Sequence, residues 1–374
     1  MVYAHGASLD FLVKKDDWRL CRFVGSPPPG DLRPGRVLFR VDRFALTANN
    51  ITYALAGDSL GYWRFFPAEP GWGRIPVMGF GDVVRSAEPR IAVGTRCFGF
   101  FPMSRYLEIE PSSASRTQIV DGAPHRVGLA PIYAQYTPID ADPLYSDATA
   151  DPLLLMRGLY LTSFLVEDFL TERDLFGARS VLISSASSKT SIALAFQVSR
   201  GGRAKAVGLT SPRNLAFAKS LGCYERVLPY DALTSLPADT PVVYVDLAGS
   251  AAVLRAVHEH FHELRHSCTV GATHWDAARL AAPQDLPGPR PEFFFAPTRI
   301  DKRSKDWGGE GLQRRIGEGW RAFCDASRAW LRVVRSSGPE AVERIYQETL
   351  AGRTQPRDGH VLSLWDEPAP SVRH

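Results

Sequence analysis

The chain has 374 residues, 45% hydrophobic and 22% charged, which is enough apolar material for a real core and excludes a disordered or fibrous protein. A formal charge of +4, with no Lys/Arg-rich run, is too mild for a nucleic-acid binder. No uncharged apolar stretch approaches the ~18 residues that span a bilayer, and Met1 to Trp18 carries no signal-peptide pattern. The expectation is a cytoplasmic protein with no nucleic-acid or membrane partner. The five scattered cysteines (Cys21, Cys97, Cys223, Cys268, Cys324) contain no C-x-x-C pair, which argues against a disulfide framework and a structural zinc lobe. With 31 Gly, 28 Pro, 20 Phe, 12 Tyr and 8 Trp, long shaped loops around an apolar site are expected.

The first ~130 residues read as β. Gly35 to Leu46 alternates with β-branched and aromatic residues, and Ile91 to Phe101 is a second strand-like stretch with a Gly turn. Ala54 to Gly79 between them is too long to be only a connector. From about Pro152 the apolar period changes, and Leu153 to Thr171 reads as a helix. Strand Ser180–Ser184, a polar turn and a helix from Lys189 to Arg200 follow. Next come strand Ala204–Thr210, helix Pro212–Leu221, a short strand near Arg226–Leu228 and strand Pro241–Leu247. Helix Ala251–Arg265 and strand Ser267–Ala272 complete the run. Strands alternating with helices predict βαβ units and a parallel sheet. After a Pro-rich loop, Ala282 to Pro297, helices are expected at about Glu310–Val334 and Pro339–Ala351, then a final strand, Gly359–Trp365.

A doubly wound sheet holds its ligand at the carboxyl ends of its strands, and its first strand–turn–helix places a pyrophosphate on the helix N-terminus. Here that turn is Ser185-Ala-Ser187-Ser188-Lys189-Thr190-Ser191, with no glycine. Hydroxyls, backbone amides and Lys189 can hold a phosphate there; a polar N-cap without a ligand is the alternative. A nucleotide-triphosphate P-loop fails because Ile183 and Ser188 stand where its glycines are needed. The second strand ends in Gly208-Leu-Thr-Ser211-Pro-Arg213-Asn214, with no acid to select a free ribose hydroxyl. Ser211 and Arg213 favour a 2′-phosphate, hence NADP(H) over NAD. An ordinary helix start, Ser211 before Pro212, fits the same residues.

In order and spacing, several segments resemble the medium-chain dehydrogenase/reductase superfamily, on its zinc-free quinone- and enoyl-reductase side, and a bacterial subgroup of it with a degenerate glycine fingerprint. Ala45 to Gly57 is similar to its first-domain Asn segment, Gly79-Phe-Gly-Asp-Val-Val84 to its Gly-x-Gly-x-Val-Val turn, and Gly94 to Phe100 to its Gly-Asp-Arg-Val-x-Gly strand. Leu161-Thr-Ser163 resembles the helix start beside the nicotinamide, and Ser185 to Ser191 occupies the Gly-rich turn. Leu221-Gly222 with Val227 to Tyr230 resembles the element lining the phosphate end of the cofactor, and Val245 to Gly249 and Thr269 to Gly271 the later strands. Pro76-Val77-Met78 stands where zinc-dependent members have Gly-His-Glu, and Cys97 is not placed like their first zinc cysteine, so no metal is expected.

The resemblance implies an α/β protein: a GroES-like β domain (1–139 and 306–374) plus a Rossmann doubly wound parallel sheet (140–305). It implies an NADPH-dependent, zinc-independent oxidoreductase that reduces an activated C=C or C=O of a small apolar substrate, and a homodimer. Cofactor contacts would come from Thr162, Ser185, Ser187, Ser188, Lys189, Thr190, Ser211, Arg213 and Tyr230. A donor tyrosine is expected in the loop holding Tyr53 and Tyr62, with Tyr62 favoured. Asn49 or Asn50 either orients substrate or makes a turn, and Trp63, Phe65 and Phe66 are expected to shape the substrate pocket.

Two other classes stay open. A module that kept the fold but lost the dinucleotide would explain the missing glycines. His258-Glu-His-Phe-His262 matches the zinc-hydrolase pattern H-E-x-x-H, but Val253, Val257, Phe261 and Leu264 form the apolar stripe of that predicted helix, leaving the histidines on or beside its wet face. No Tyr-x-x-x-Lys pair or G-x-S-x-G elbow occurs. Lys302-Arg303-Ser-Lys305 reads as a solvated loop.

Overall fold

The computed structural model describes residues 7–270 and 285–366. Gly271 and Ala272 of the last predicted parallel strand, and the first residues of the Pro-rich loop, lie outside them. The chain divides into two compact units, one of residues 1–155 and 332–374, the other of residues 156–331.

The first unit is a GroES-like β structure. Its core strand, Val37–Leu46, alternates as the sequence predicts and pairs with Pro76–Ser86, with Tyr106–Ile109 and with the final strand, Asp358–Ser363. Arg96–Pro102 and Gln135–Pro138 extend the same sheet. Ser8–Lys14 lies in a smaller sheet between Cys21–Ser26 and Trp72–Gly73. A helix not expected from sequence, Ala48–Leu55, opens the segment after the core strand. Its start is fixed by Asn50, whose side chain accepts from the Thr47 amide at 2.7 Å and donates to the Pro76 carbonyl at 2.8 Å. Arg332–Ser337, the end of a predicted helix, is instead a strand parallel to Asp358–Ser363.

The second unit is a Rossmann fold. Its six strands are all parallel, in the spatial order Arg226–Pro229, Lys205–Thr210, Ser180–Ile183, Val242–Asp246, Leu264–Thr269, Glu292–Phe293. Val181, Ile183, Val243 and Val245 are buried, as continuous apolar runs in a covered sheet require. Helix Lys189–Gly201 begins on Ser188, whose hydroxyl accepts from the Ser191 amide, and stops at Gly202 in the left-handed region, φ +66°.

Both unit boundaries lie further along the chain than the sequence texture suggests, and packing gives the reason. Helix Ala296–Ser327 is tied to helix Ala150–Glu172 by Asp168, which accepts from Arg299 Nε at 2.6 Å and Arg303 Nε at 2.8 Å. Tyr160 stacks on Phe323 and meets Trp320 edge-on. The Lys302–Lys305 run is therefore helical rather than loop, with Arg303 buried in an ion-pair network. Among the described residues no helix is long and apolar enough to cross a membrane.

Candidate functional site

The turn after the first parallel strand is built from serines that bond inward. Ser184 Oγ donates to Asp246 Oδ1 at 2.8 Å and accepts from the Leu247 and Ala248 amides. The same carboxylate oxygen accepts from Tyr244 Oη at 3.1 Å and from the Ala248 and Gly249 amides. Ser191 Oγ donates to the Ser184 carbonyl, and Ser187 Oγ accepts from Asn214 Nδ2 at 3.0 Å, joining the turn to the end of the second strand. Gly208 makes this approach feasible: a Cβ there would sit 2.7 Å from Ala186 Cβ and 3.0 Å from the Tyr224 ring. A glycine inside a strand is the sequence signal for such a contact, and it was readable at Gly208.

Ser185 occupies the left-handed region at φ +53°, where glycine is the usual residue, and its amide donates to Tyr230 Oη at 3.0 Å. Burial pushes the Tyr230 phenol up, with the Ser185 amide opposing it. Ser185, Ser188, Lys189 and Thr190 are only half-buried and line the outer side of the helix start, whereas Ser187 is buried. Thr162 is half-buried and its hydroxyl bonds back to the Gly158 carbonyl; the neighbouring Ser163 Oγ donates to the Thr190 carbonyl at 2.8 Å, fixing that helix against the turn. Ser211 is half-buried ahead of the short 3-10 turn Pro212–Asn214, and Arg213 on it is exposed. The structure thus gathers Thr162, the 185–190 turn, Ser211, Arg213 and Tyr230 at one end of the parallel sheet.

These residues fit an anionic dinucleotide. A helix of 13 residues starts at the carboxyl end of a central parallel strand, so its positive end faces outward there. No carboxylate occurs in 184–192 or 208–214, and Asp246 is buried and saturated with donors. Glycine is not needed to bring the strands close, because the serine hydroxyls turn toward the protein.

In the first unit Tyr53 and Tyr62 stack with ring centroids 4.6 Å apart, beside Phe65, Phe66, Phe100 and Tyr133. Burial raises both phenols, and each reaches the hydroxyl of Tyr133; Tyr53 also has Asn49 as a polar neighbour. Phe65 and Phe66 belong to this interior cluster under Arg126, 5.8 and 5.0 Å from the two rings. Trp63, 4% exposed, packs elsewhere, over Gly57 and Gly73, where a Cβ would come within 2.3 Å of the indole. Its edge lines a cavity of about 220 Å3 shared with Lys15, Asp58, Arg64 and His125. The three expected pocket aromatics are therefore held mainly as core. Tyr133, between them and Phe100, was not identified from sequence because 71 residues separate it from Tyr62.

Helix Ala251–His260 ends before His262, so the two histidines do not share a helix face. His258 is buried, bonded to the Pro287 carbonyl and Ser267 Oγ, while His262 is exposed beside Asp239. This corrects the predicted placement of His258 on the wet face. Among the described residues no group of three or more His, Cys, Asp or Glu is placed to hold a metal ion.

Three solved structures share the fold at low identity. The quinone oxidoreductase from Coxiella burnetii matches at 16% identity with a TM-score of 0.54, covering 95% of this chain and 99% of that one. CurA from Vibrio vulnificus in complex with NADPH matches at 12% and 0.56, covering 92% and 95%. The yhdH oxidoreductase from Salmonella enterica in complex with NADP matches at 15% and 0.54, covering 95% and 99%. They bear out the GroES-like plus Rossmann fold of the medium-chain dehydrogenase/reductases. No protein of curated function matches the sequence. A family model described as "Protein of unknown function (DUF2855)" matches residues 44–355, most of the chain, and the protein belongs to that family.

Proposed function

We propose that this protein is an NADPH-dependent, zinc-independent oxidoreductase that reduces an activated C=C or C=O of a small apolar molecule, such as an enone, quinone, ketone or acyl thioester. The observation that carries the reading is the 185–190 turn, whose outward side is a carboxylate-free helix start with Lys189 and Thr190 half-buried upon it. The NADP(H) complexes among the proteins of like fold support it. Bound NADPH would supply the hydride. Lys189 and the helix amides would hold its pyrophosphate, and Ser211 and Arg213 its 2′-phosphate. Thr162 would lie by the nicotinamide, and a phenol of the tyrosine cluster would supply the proton. Pro76-Val77-Met78, in place of a Gly-His-Glu, supports the zinc-independent part of the reading.

Titrating the protein into NADPH and following nucleotide fluorescence tests this. Saturable binding is expected, and Arg213→Ala should weaken NADPH about tenfold, or ~1.4 kcal/mol, with little effect on NADH. No binding at hundreds of micromolar protein overturns the proposal. It would favour a second reading, a module that kept the fold without the dinucleotide, for which the inward-turned hydroxyls of Ser184, Ser187 and Ser191 are the motivating observation.

A further inference from the structure

Three phenols meet in the first unit, and they are not equivalent. Tyr53 and Tyr62 are buried among Phe65, Phe66 and Phe100. Tyr133 is half-buried, and its ring stacks on Phe100 at 4.4 Å. Its backbone is anchored from behind, because Arg126 Nη1 donates to the Tyr133 carbonyl at 3.2 Å while Arg126 pairs with buried Asp121 at 2.7 Å. That pair is the charged group packed against the cluster, with the Arg126 guanidinium over Phe65 and Phe66.

The hydroxyls of Tyr53 and Tyr62 both reach that of Tyr133. Buried phenols held neutral are hydrogen-bond donors. Two donors aimed at one oxygen stabilise negative charge on it, as in an oxyanion hole, but here the charge falls on a side chain. Tyr133 is thus the member that can give up its proton, and the one with access to something outside the cluster.

We propose that Tyr133 is the proton donor of the reduction, and that Tyr53 and Tyr62 are positioning residues that hold the phenolate it leaves. The inference rests on the function proposed above. As the substrate double bond accepts hydride from the reduced nicotinamide, its displaced electron pair takes the Tyr133 proton. The Tyr133 O–H bond breaks with its pair left on oxygen, and solvent water restores the proton. The substrate gains two electrons and two hydrogens, and the nicotinamide is oxidised.

Two measurements test this, one independent of the cofactor. In the cofactor-free protein labelled with fluorotyrosine and assigned by Tyr→Phe variants, the Tyr133 fluorine resonance should ionise at lower pH than those of Tyr53 and Tyr62. Tyr62→Phe should move that midpoint upward. A Tyr62 resonance that ionises first, or a Tyr133 midpoint unmoved by Tyr62→Phe, overturns the relay. With NADPH and chalcone as the probe enone, Tyr133→Phe keeps the ring stack and should lower kcat roughly a hundredfold at unchanged NADPH affinity. Tyr53→Phe and Tyr62→Phe should lower it less and displace the alkaline limb of the pH profile. Full activity in Tyr133→Phe, with loss in Tyr62→Phe, assigns the donor to Tyr62 and overturns the proposal. If the wild type neither binds NADPH nor reduces chalcone, the function reading fails, and the fluorine titration still decides the relay.

Discussion

The serine turn of the Rossmann unit and the tyrosine cluster of the β unit use hydroxyl groups in opposite ways. In the turn, Ser184, Ser187 and Ser191 spend their hydroxyls on the protein, and one oxygen of Asp246 collects two hydroxyls and two amides. In the cluster, ring packing does the structural work and leaves the hydroxyls of Tyr53, Tyr62 and Tyr133 facing one another. Hydroxyls near a candidate site can therefore be fastenings or reagents, and what else holds the segment tells which.

Breaking each region should expose that difference. Phe100 is buried and touches Tyr53, Tyr62, Phe65, Phe66 and Tyr133. Phe100→Ala should cost about 3–5 kcal/mol in urea denaturation, whereas Tyr→Phe changes at the three phenols should cost about 1 kcal/mol or less each. In the turn the polar atoms matter instead. Asp246→Ala strands the Ser184 and Tyr244 hydroxyls and two amides, and should cost about 3 kcal/mol. Asp246→Asn keeps an acceptor oxygen and should recover most of that loss. Equal destabilisation by the two substitutions would mean that the charge, rather than the acceptor, holds the turn.

The alternation of the Rossmann unit was legible because fully covered parallel strands are short continuous apolar runs, as in Ser180–Ile183 and Val242–Asp246, set between helices of a different period. Element ends were less so. Phe261 and Leu264 continue the apolar stripe of helix Ala251–His260 across its end, so that the helix seemed to reach Arg265. Arg332–Ser337 becomes a strand only by pairing with Asp358–Ser363, a partner that local pattern does not reveal. At the site, the residue types of the turn were readable but the direction of each hydroxyl was not. Nor could composition separate Trp63, fixed by Gly57 and Gly73, from the aromatics packed around Phe100. Tyr133 needed the tertiary fold to reach Tyr53 and Tyr62.

The smallest expected effect concerns pH, and it belongs to the Rossmann unit. His266 is buried, stacked on Phe176 with ring centroids 4.1 Å apart, and Nε2 has no hydrogen-bond partner. Burial holds its pKa below the ordinary 6.5, with Glu292 opposing and Arg173 adding to the shift. His258, enclosed between Pro287 and Ser267, is lowered by burial as well. Both imidazoles are thus kept neutral in the fold, while the unfolded chain takes up protons near pH 6.5. Stability is fully present above that pH and is lost as pH falls below it, by at most ~1.4 kcal/mol per pH unit for each histidine. Denaturation midpoints at pH 7.5 and 5.5, chosen on either side of the model value of 6.5, should differ less in His266→Phe than in the wild type. The Phe ring preserves the stack on Phe176, so an undiminished difference would assign the acid sensitivity to other groups, His258 first among them.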